Sequence, residues 1–188
     1  TQFADAKALM PGLLQDFFSN PTSSLITTHI FPWHYKDKSA LIGDAAHAIV
    51  PFYGQGMNCG FEDCTILNHM LDEYGDDWSK VLPAYQSERK SNADAIAELA
   101  LMNFIEMRDL TGSKKFLLQK KIEGRIHAKY PEKWLPLYSQ VTFSDIPYSV
   151  ALKNGLNQQK IMEQVMELPD IESKWDSSEV EQMILKHI

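Results

Sequence analysis

Leu41-Ile42-Gly43-Asp44-Ala45-Ala46-His47-Ala48-Ile49-Val50-Pro51-Phe52-Tyr53-Gly54-Gln55-Gly56-Met57-Asn58 decides how the rest of this chain is read. A short apolar run ends on an Asp, a loop carrying two glycines follows, and a helix then begins. In α/β folds the carboxyl ends of strands are where ligands bind. Asp44, an acceptor-only group, suits vicinal ribose hydroxyls at such a place. Gly54 and Gly56 let the backbone approach a flat ligand with no Cβ in the way. The N–H groups of Met57 and Asn58, at the head of the next helix, suit an anionic or carbonyl oxygen. Taken singly, each part has a plainer reading: Asp44 as a helix cap over Ala45-Ala46-His47, Gly-x-Gly as a turn. The order of the parts favours a site for a phosphorylated or sugar-bearing cofactor.

Working outward, Ala4 to Phe18 reads as one or two short helices broken at Pro11-Gly12. Leu25 to Phe31 alternates as a strand would, and Lys38 to Gly43 reads as a second, buried strand. Asn58 to Glu73 repeats apolar residues at three and four, and Gly75 is its natural stop. Beyond Trp78 strand signals nearly vanish, and helices are expected near 79–90, 92–111, 114–128, 158–168 and 177–187. On the helix of 92–111, Asp94, Glu98, Glu106 and Asp109 share an arc of roughly 120°. Ile96, Leu99, Ala100, Met107 and Leu110 fill the opposite side. Asn103 falls in the middle of that apolar stripe, where its amide needs a partner, either backbone and water or a ligand. His47 follows Asp44 by three, a spacing that predicts a local capping contact.

The run 41–58 resembles the second FAD motif of the aromatic-ring hydroxylases, the single-component flavoprotein monooxygenases. Phe31-Pro32-Trp33, Asn103-Phe104-Ile105-Glu106-Met107-Arg108 and Pro136-Leu137-Tyr138-Ser139-Gln140-Val141-Thr142-Phe143 resemble the branch of that family acting on L-kynurenine. The similarity covers roughly residues 25–145. It implies an α/β fragment of an FAD-binding fold over residues 1–74, followed by a mostly α-helical C-terminal region over 75–188. It also implies an FAD- and NADPH-dependent monooxygenase that uses O2, through a flavin C4a-hydroperoxide, to convert L-kynurenine to 3-hydroxykynurenine. By the same resemblance Asp44, Gly54, Gly56, Met57 and Asn58 hold the cofactor, Pro51, Phe52 and Gln55 shape the oxygen site, and Asn103 and Tyr138 contact the substrate. Tyr53 stands where many relatives carry Phe, and Cys59 where a small residue is common; neither change removes a needed group. The alternatives are a related hydroxylase of another aromatic substrate, and a non-catalytic helical interaction module.

A flavin site of this family also needs an N-terminal Gly-x-Gly-x-x-Gly turn. Here Gly54, Gly56 and Gly60 form a spacing one residue too long. The chain starts at Thr1 and reads as the C-terminal portion of a longer enzyme, inactive on its own. Hydrophobic content of 44% and charged content of 23% are globular values. The net charge of −7 comes without a basic stripe, which argues against nucleic acid as a partner. Cys59 and Cys64 fit no zinc or redox spacing, suggest packing roles, and suit a reducing cytoplasm. Histidines are scattered, so no metal cluster is expected. No apolar run approaches the ~18–20 residues of a membrane span. Oligomeric state is not legible from these residues.

Overall fold

The computed structural model describes residues 4–188. Helices α1 (Ala4–Leu9) and α2 (Leu13–Ser19) flank Pro11-Gly12, as the breaker residues predict. Next comes an antiparallel ladder of β1 (His34–Tyr35) and β2 (Ser39–Ala40), with His34 opposite Ala40. Helix α3 (Asp44–His47) and a 3₁₀ turn at Pro51–Tyr53 then lead into α4 (Gly56–Tyr74). Helix α5 (Trp78–Ile105) runs back along α4 and passes into a π turn at Glu106–Leu110. The remainder is α6 (Lys114–Lys129), α7 (Leu137–Thr142), α8 (Tyr148–Val165), α9 (Ile171–Lys174) and α10 (Ser178–Leu185).

The two strand expectations are corrected. Leu25 to Phe31 forms no ladder, and the strand read over Lys38 to Gly43 shrinks to Ser39–Ala40. A strand exists only where a neighbour takes up its N–H and C=O groups. Residues 25–31 find one such neighbour in Ala48: the Thr28 N–H donates to its carbonyl, and the Ala48 N–H donates to Thr28 Oγ1, both at 2.9 Å. Leu25, Ile26 and Phe31 stay exposed. Among the described residues the chain is therefore mostly helical, with one small ladder.

Helix expectations fared better, with three changes. The segments read at 79–90 and 92–111 are one helix carrying Pro83 in its second turn. The helix expected near 158–168 begins ten residues earlier, at Tyr148. The apolar stripe of α5 stops short of Leu110, because the π turn rotates the chain and leaves Met107 and Leu110 exposed. Gly75 ends α4 as expected, its N–H closing on the Leu71 carbonyl at 2.8 Å.

Three apolar clusters lie along the helices. Trp33, Ala46, Tyr85 and Ala93 join the hairpin to α5. Tyr53, Cys59, Ile96, Leu99, Val141 and Ala151 join the 3₁₀ turn and α4 to α5, α7 and α8. A third cluster, around Trp134, Met162 and Ile184, seats α10 on α6 and α8. Helix α5 thus serves as the spine against which the loop 43–58 is held from behind.

Candidate active site

The loop 43–58 has a buried back and an open face. Ala46, His47, Tyr53, Gln55 and Cys59 point inward, whereas Asp44, Pro51, Gly54, Met57 and Asn58 are exposed. Gly43 and Gly54 have φ of +59° and +67°, and open space lies where a Cβ would stand. Side chains are strained at such φ values, so glycine is what permits these turns. The first intrahelical bond of α4 runs from Cys59 N to the Gln55 carbonyl, and no side chain caps the helix. The N–H groups of Met57 and Asn58 therefore remain free as donors. A flavin fits this chemistry: two unused backbone donors, a Cβ-free turn and an exposed carboxylate share one continuous stretch. The capping reading of Asp44 is not what forms, since Gly43 is the residue that caps α3 and no side chain takes part.

His47 does not contact Asp44, contrary to its spacing. Its Nε2 lies 2.6 Å from Asp63, on α4 and fully buried. Asp63 also accepts from Gly43 N at 2.9 Å and from Arg89 Nε at 2.7 Å. Arg89, on α5 and 1% exposed, donates to the Cys59 carbonyl at 3.2 Å and pairs with Glu62 at 2.7 Å. Burial, the largest single influence, would lower the His47 pKa, but the hydrogen bonds and charges of Asp63 and Cys59 together outweigh it and push the value up to about 10. Burial likewise works to raise Asp63, yet hydrogen bonds from His47, Arg89 and Gly43 hold it below the usual carboxylate range. His47 and Arg89 are thus cations, matched by Asp63 and Glu62, and the network pins both ends of the loop.

The donor atoms of His47, Cys59 and Asp63 also come within 4.8 Å of one another, a grouping that scattered histidines did not suggest. The Arg89 guanidinium lies 3.3 Å from Cys59 Sγ and already supplies the positive charge there. The sequence carried a signal for this network. Asp63 falls on the same helical face as Cys59, Ile66 and Met70, and Arg89 on that of Tyr85, Ala93 and Ile96, so each is a charge on an apolar stripe.

The other expected residues gather unequally. Gln55 is 5% exposed, and its Oε1 accepts from Asn58 Nδ2 at 2.9 Å and from the Tyr148 hydroxyl at 3.1 Å. Asn103 is buried too, and its Nδ2 is engaged within the protein: it donates to the Phe52 carbonyl at 2.8 Å and lies 3.8 Å from Met107 Sδ. The ring of Phe52 packs, tilted by 31°, against Phe104 with centroids 4.5 Å apart, and Phe104 lies under the Arg108 guanidinium. A cleft of about 290 Å³ opens beside Asn103, lined also by Tyr53, Glu106, Leu137 and Gln158. Tyr138 does not line that cleft; it stacks on Tyr53 at 5.6 Å and remains half exposed. Asp44 makes no bond to any of these groups among the described residues.

Residues 28–100 match a family described as an FAD binding domain. The matched stretch takes in the loop 43–58, α4 and most of α5. Over nearly its whole length the chain is similar to proteins named kynurenine 3-monooxygenase. It is 59% identical to that of Flavobacterium johnsoniae over 184 residues, 98% of this chain and 41% of the relative. It is 58% identical to that of Christiangramia forsetii, over 99% of this chain and 42% of the relative. The corresponding protein of Legionella pneumophila is 47% identical, over 98% and 41%. The chain thus spans about two fifths of the length of the curated relatives it matches. Among the described residues no helix is long and apolar enough to cross a membrane.

Proposed function

We propose that this chain is the C-terminal portion of an NADPH-dependent flavoprotein monooxygenase that hydroxylates L-kynurenine to 3-hydroxykynurenine. One observation carries the reading: the loop 43–58 is anchored from behind by buried ion pairs while its glycine turn, free N–H donors and Asp44 stay open to a ligand. On this reading residues 1–74 complete an α/β FAD-binding domain and 75–188 form the helical domain behind it. The free cysteines Cys59 and Cys64 suit a reducing cytoplasm.

The bound flavin supplies the redox chemistry, accepting electrons from NADPH and activating O2. The protein's part is to bind, orient and exclude water. Asp44 takes the ribose hydroxyls, and the Met57 and Asn58 N–H groups hold the flavin ring. Pro51, Phe52 and Gln55 form the wall at which oxygen is transferred. Asn103 contributes twice, fixing that wall through the Phe52 carbonyl while its Oδ1, which has no partner among the described residues, faces the substrate. Tyr138 offers its hydroxyl from the other side of Tyr53. The test is the full-length protein loaded with FAD and supplied with NADPH, O2 and L-kynurenine. The reading predicts 3-hydroxykynurenine formed in step with kynurenine-dependent NADPH oxidation. A yellow protein that hydroxylates only a different phenol or aniline would overturn the substrate, and one that holds no flavin would overturn the whole reading.

A further inference from the structure

Tyr148 lies 93 residues from Gln55 in sequence, on the first turn of α8, yet its hydroxyl ends on the Gln55 side chain. Its place is well determined. The next residue, Ser149, donates both its backbone N–H and its hydroxyl to Asn92 Oδ1 on α5, at 3.1 and 2.8 Å. The Tyr148 ring packs on the cluster of Tyr53, Cys59 and Ile96. Burial pushes its phenol up to about 12, so the hydroxyl is a donor throughout the working pH range.

The inventory of the Gln55 amide then leaves little freedom. Its two carbonyl lone pairs are taken by Asn58 Nδ2 and Tyr148 Oη. One N–H points at the Tyr53 carbonyl, 3.5 Å away. A single N–H remains, so Gln55 can act on a ligand only as a donor. We propose that Tyr148 is a positioning residue for the hydroxylation: it holds Gln55 Oε1 while the Tyr53 carbonyl, an acceptor only, selects the amide's orientation, and together they fix the remaining N–H as a donor at the oxygen-transfer wall. The helical region thereby sets the geometry of the loop in front of it. The inference rests on the role given to Gln55 under the proposed function.

The experiment uses the full-length, FAD-loaded enzyme and counts three quantities per turnover: NADPH oxidised, 3-hydroxykynurenine formed and H2O2 released. Productive turnover consumes NADPH, a proton and O2 and yields hydroxylated product, NADP⁺ and water. Failed transfer consumes the same reagents and yields NADP⁺ and H2O2, the two electrons ending on oxygen. Tyr148→Phe should lower the hydroxylated fraction about two- to tenfold, the factor attached to one neutral hydrogen bond, with H2O2 making up the difference and flavin content unchanged. Gln55→Leu should show the same loss, and the double variant should be no worse than Gln55→Leu alone, as for residues acting through one another. A Tyr148→Phe enzyme that melts earlier yet keeps its hydroxylated fraction would reduce Tyr148 to a structural role and overturn the proposal, as would losses that multiply in the double variant. If Gln55→Leu alone leaves the fraction untouched, the reading of Gln55 has failed and the proposal falls with it.

Discussion

Replacing Asp63 by Ala removes one buried carboxylate from beneath three donors: Gly43 N, His47 Nε2 and Arg89 Nε. Breaking a buried ion pair by deleting one partner costs about 3–5 kcal/mol, because the other charge is left unpaired. Two features place Asp63→Ala near the lower end. Glu62 still pairs with Arg89, at 2.7 Å. His47 can shed its proton, since burial alone favours the neutral ring. A loss of about 3 kcal/mol follows, measurable by urea unfolding at pH 7 with tryptophan fluorescence; the Trp33 ring sits 5.3 Å from His47 and reports on this corner. The pH profile carries the sharper prediction. The His47 pKa rises from 6.5 unfolded to about 10 folded, so its stabilisation is complete below 6.5 and lost as pH climbs through 10. Asp63 is depressed below 3.8, so its contribution is present above that value and lost as pH falls through the lowered one. The native protein should therefore weaken between pH 7 and 10, and Asp63→Ala should flatten that slope. A variant within about 0.5 kcal/mol of the parent, as for ordinary surface changes, or one with the parent's alkaline slope, would refute the account of this network.

Asp44→Ala in the full-length protein should release FAD, because a charge-assisted bond to ribose is worth about 1.5–3 kcal/mol; unchanged flavin content after dialysis would remove the ribose assignment. Tyr138→Phe keeps its stack on Tyr53 and loses a hydroxyl with no protein partner among the described residues, so KM for L-kynurenine should rise about two- to tenfold with the melting temperature unchanged. Asn103→Ala should raise KM as well, but it also cuts the bond to the Phe52 carbonyl, so some loss of stability is expected beside it; normal KM in both variants would withdraw the substrate roles. Residues 1–188 alone should retain no FAD and oxidise no NADPH, for want of a Gly-x-Gly-x-x-Gly turn, and a yellow, active preparation would contradict this.

Much of the candidate site was legible because it is local. Asp44 through Asn58 is one continuous stretch whose glycines, proline and helix start carry their own geometry, and Gly75 marks the end of α4 in the same way. Asn103 was visible as a polar residue on an apolar face, though its amide nitrogen turned out to be engaged by the Phe52 carbonyl. What spacing could not give is long-range. Asp63 joins residues 20, 16 and 26 positions away, and Tyr148 reaches Gln55 across 93. The strand at 25–31 failed for a related reason: alternation records a pattern, whereas a strand also needs a partner, and Ala48 alone does not make a ladder. Periodicity likewise foresaw neither the π turn after Ile105 nor the exposure of Met107 and Leu110 that follows from it.

The most direct test of the central claim is a crystal structure of the full-length protein with FAD bound. The account predicts the flavin ring against Gly54, with the Met57 and Asn58 N–H groups donating to it and the Asp44 carboxylate on the ribose hydroxyls. A flavin seated elsewhere, with the open face of residues 43–58 left in solvent or covered by another part of the protein, would contradict it.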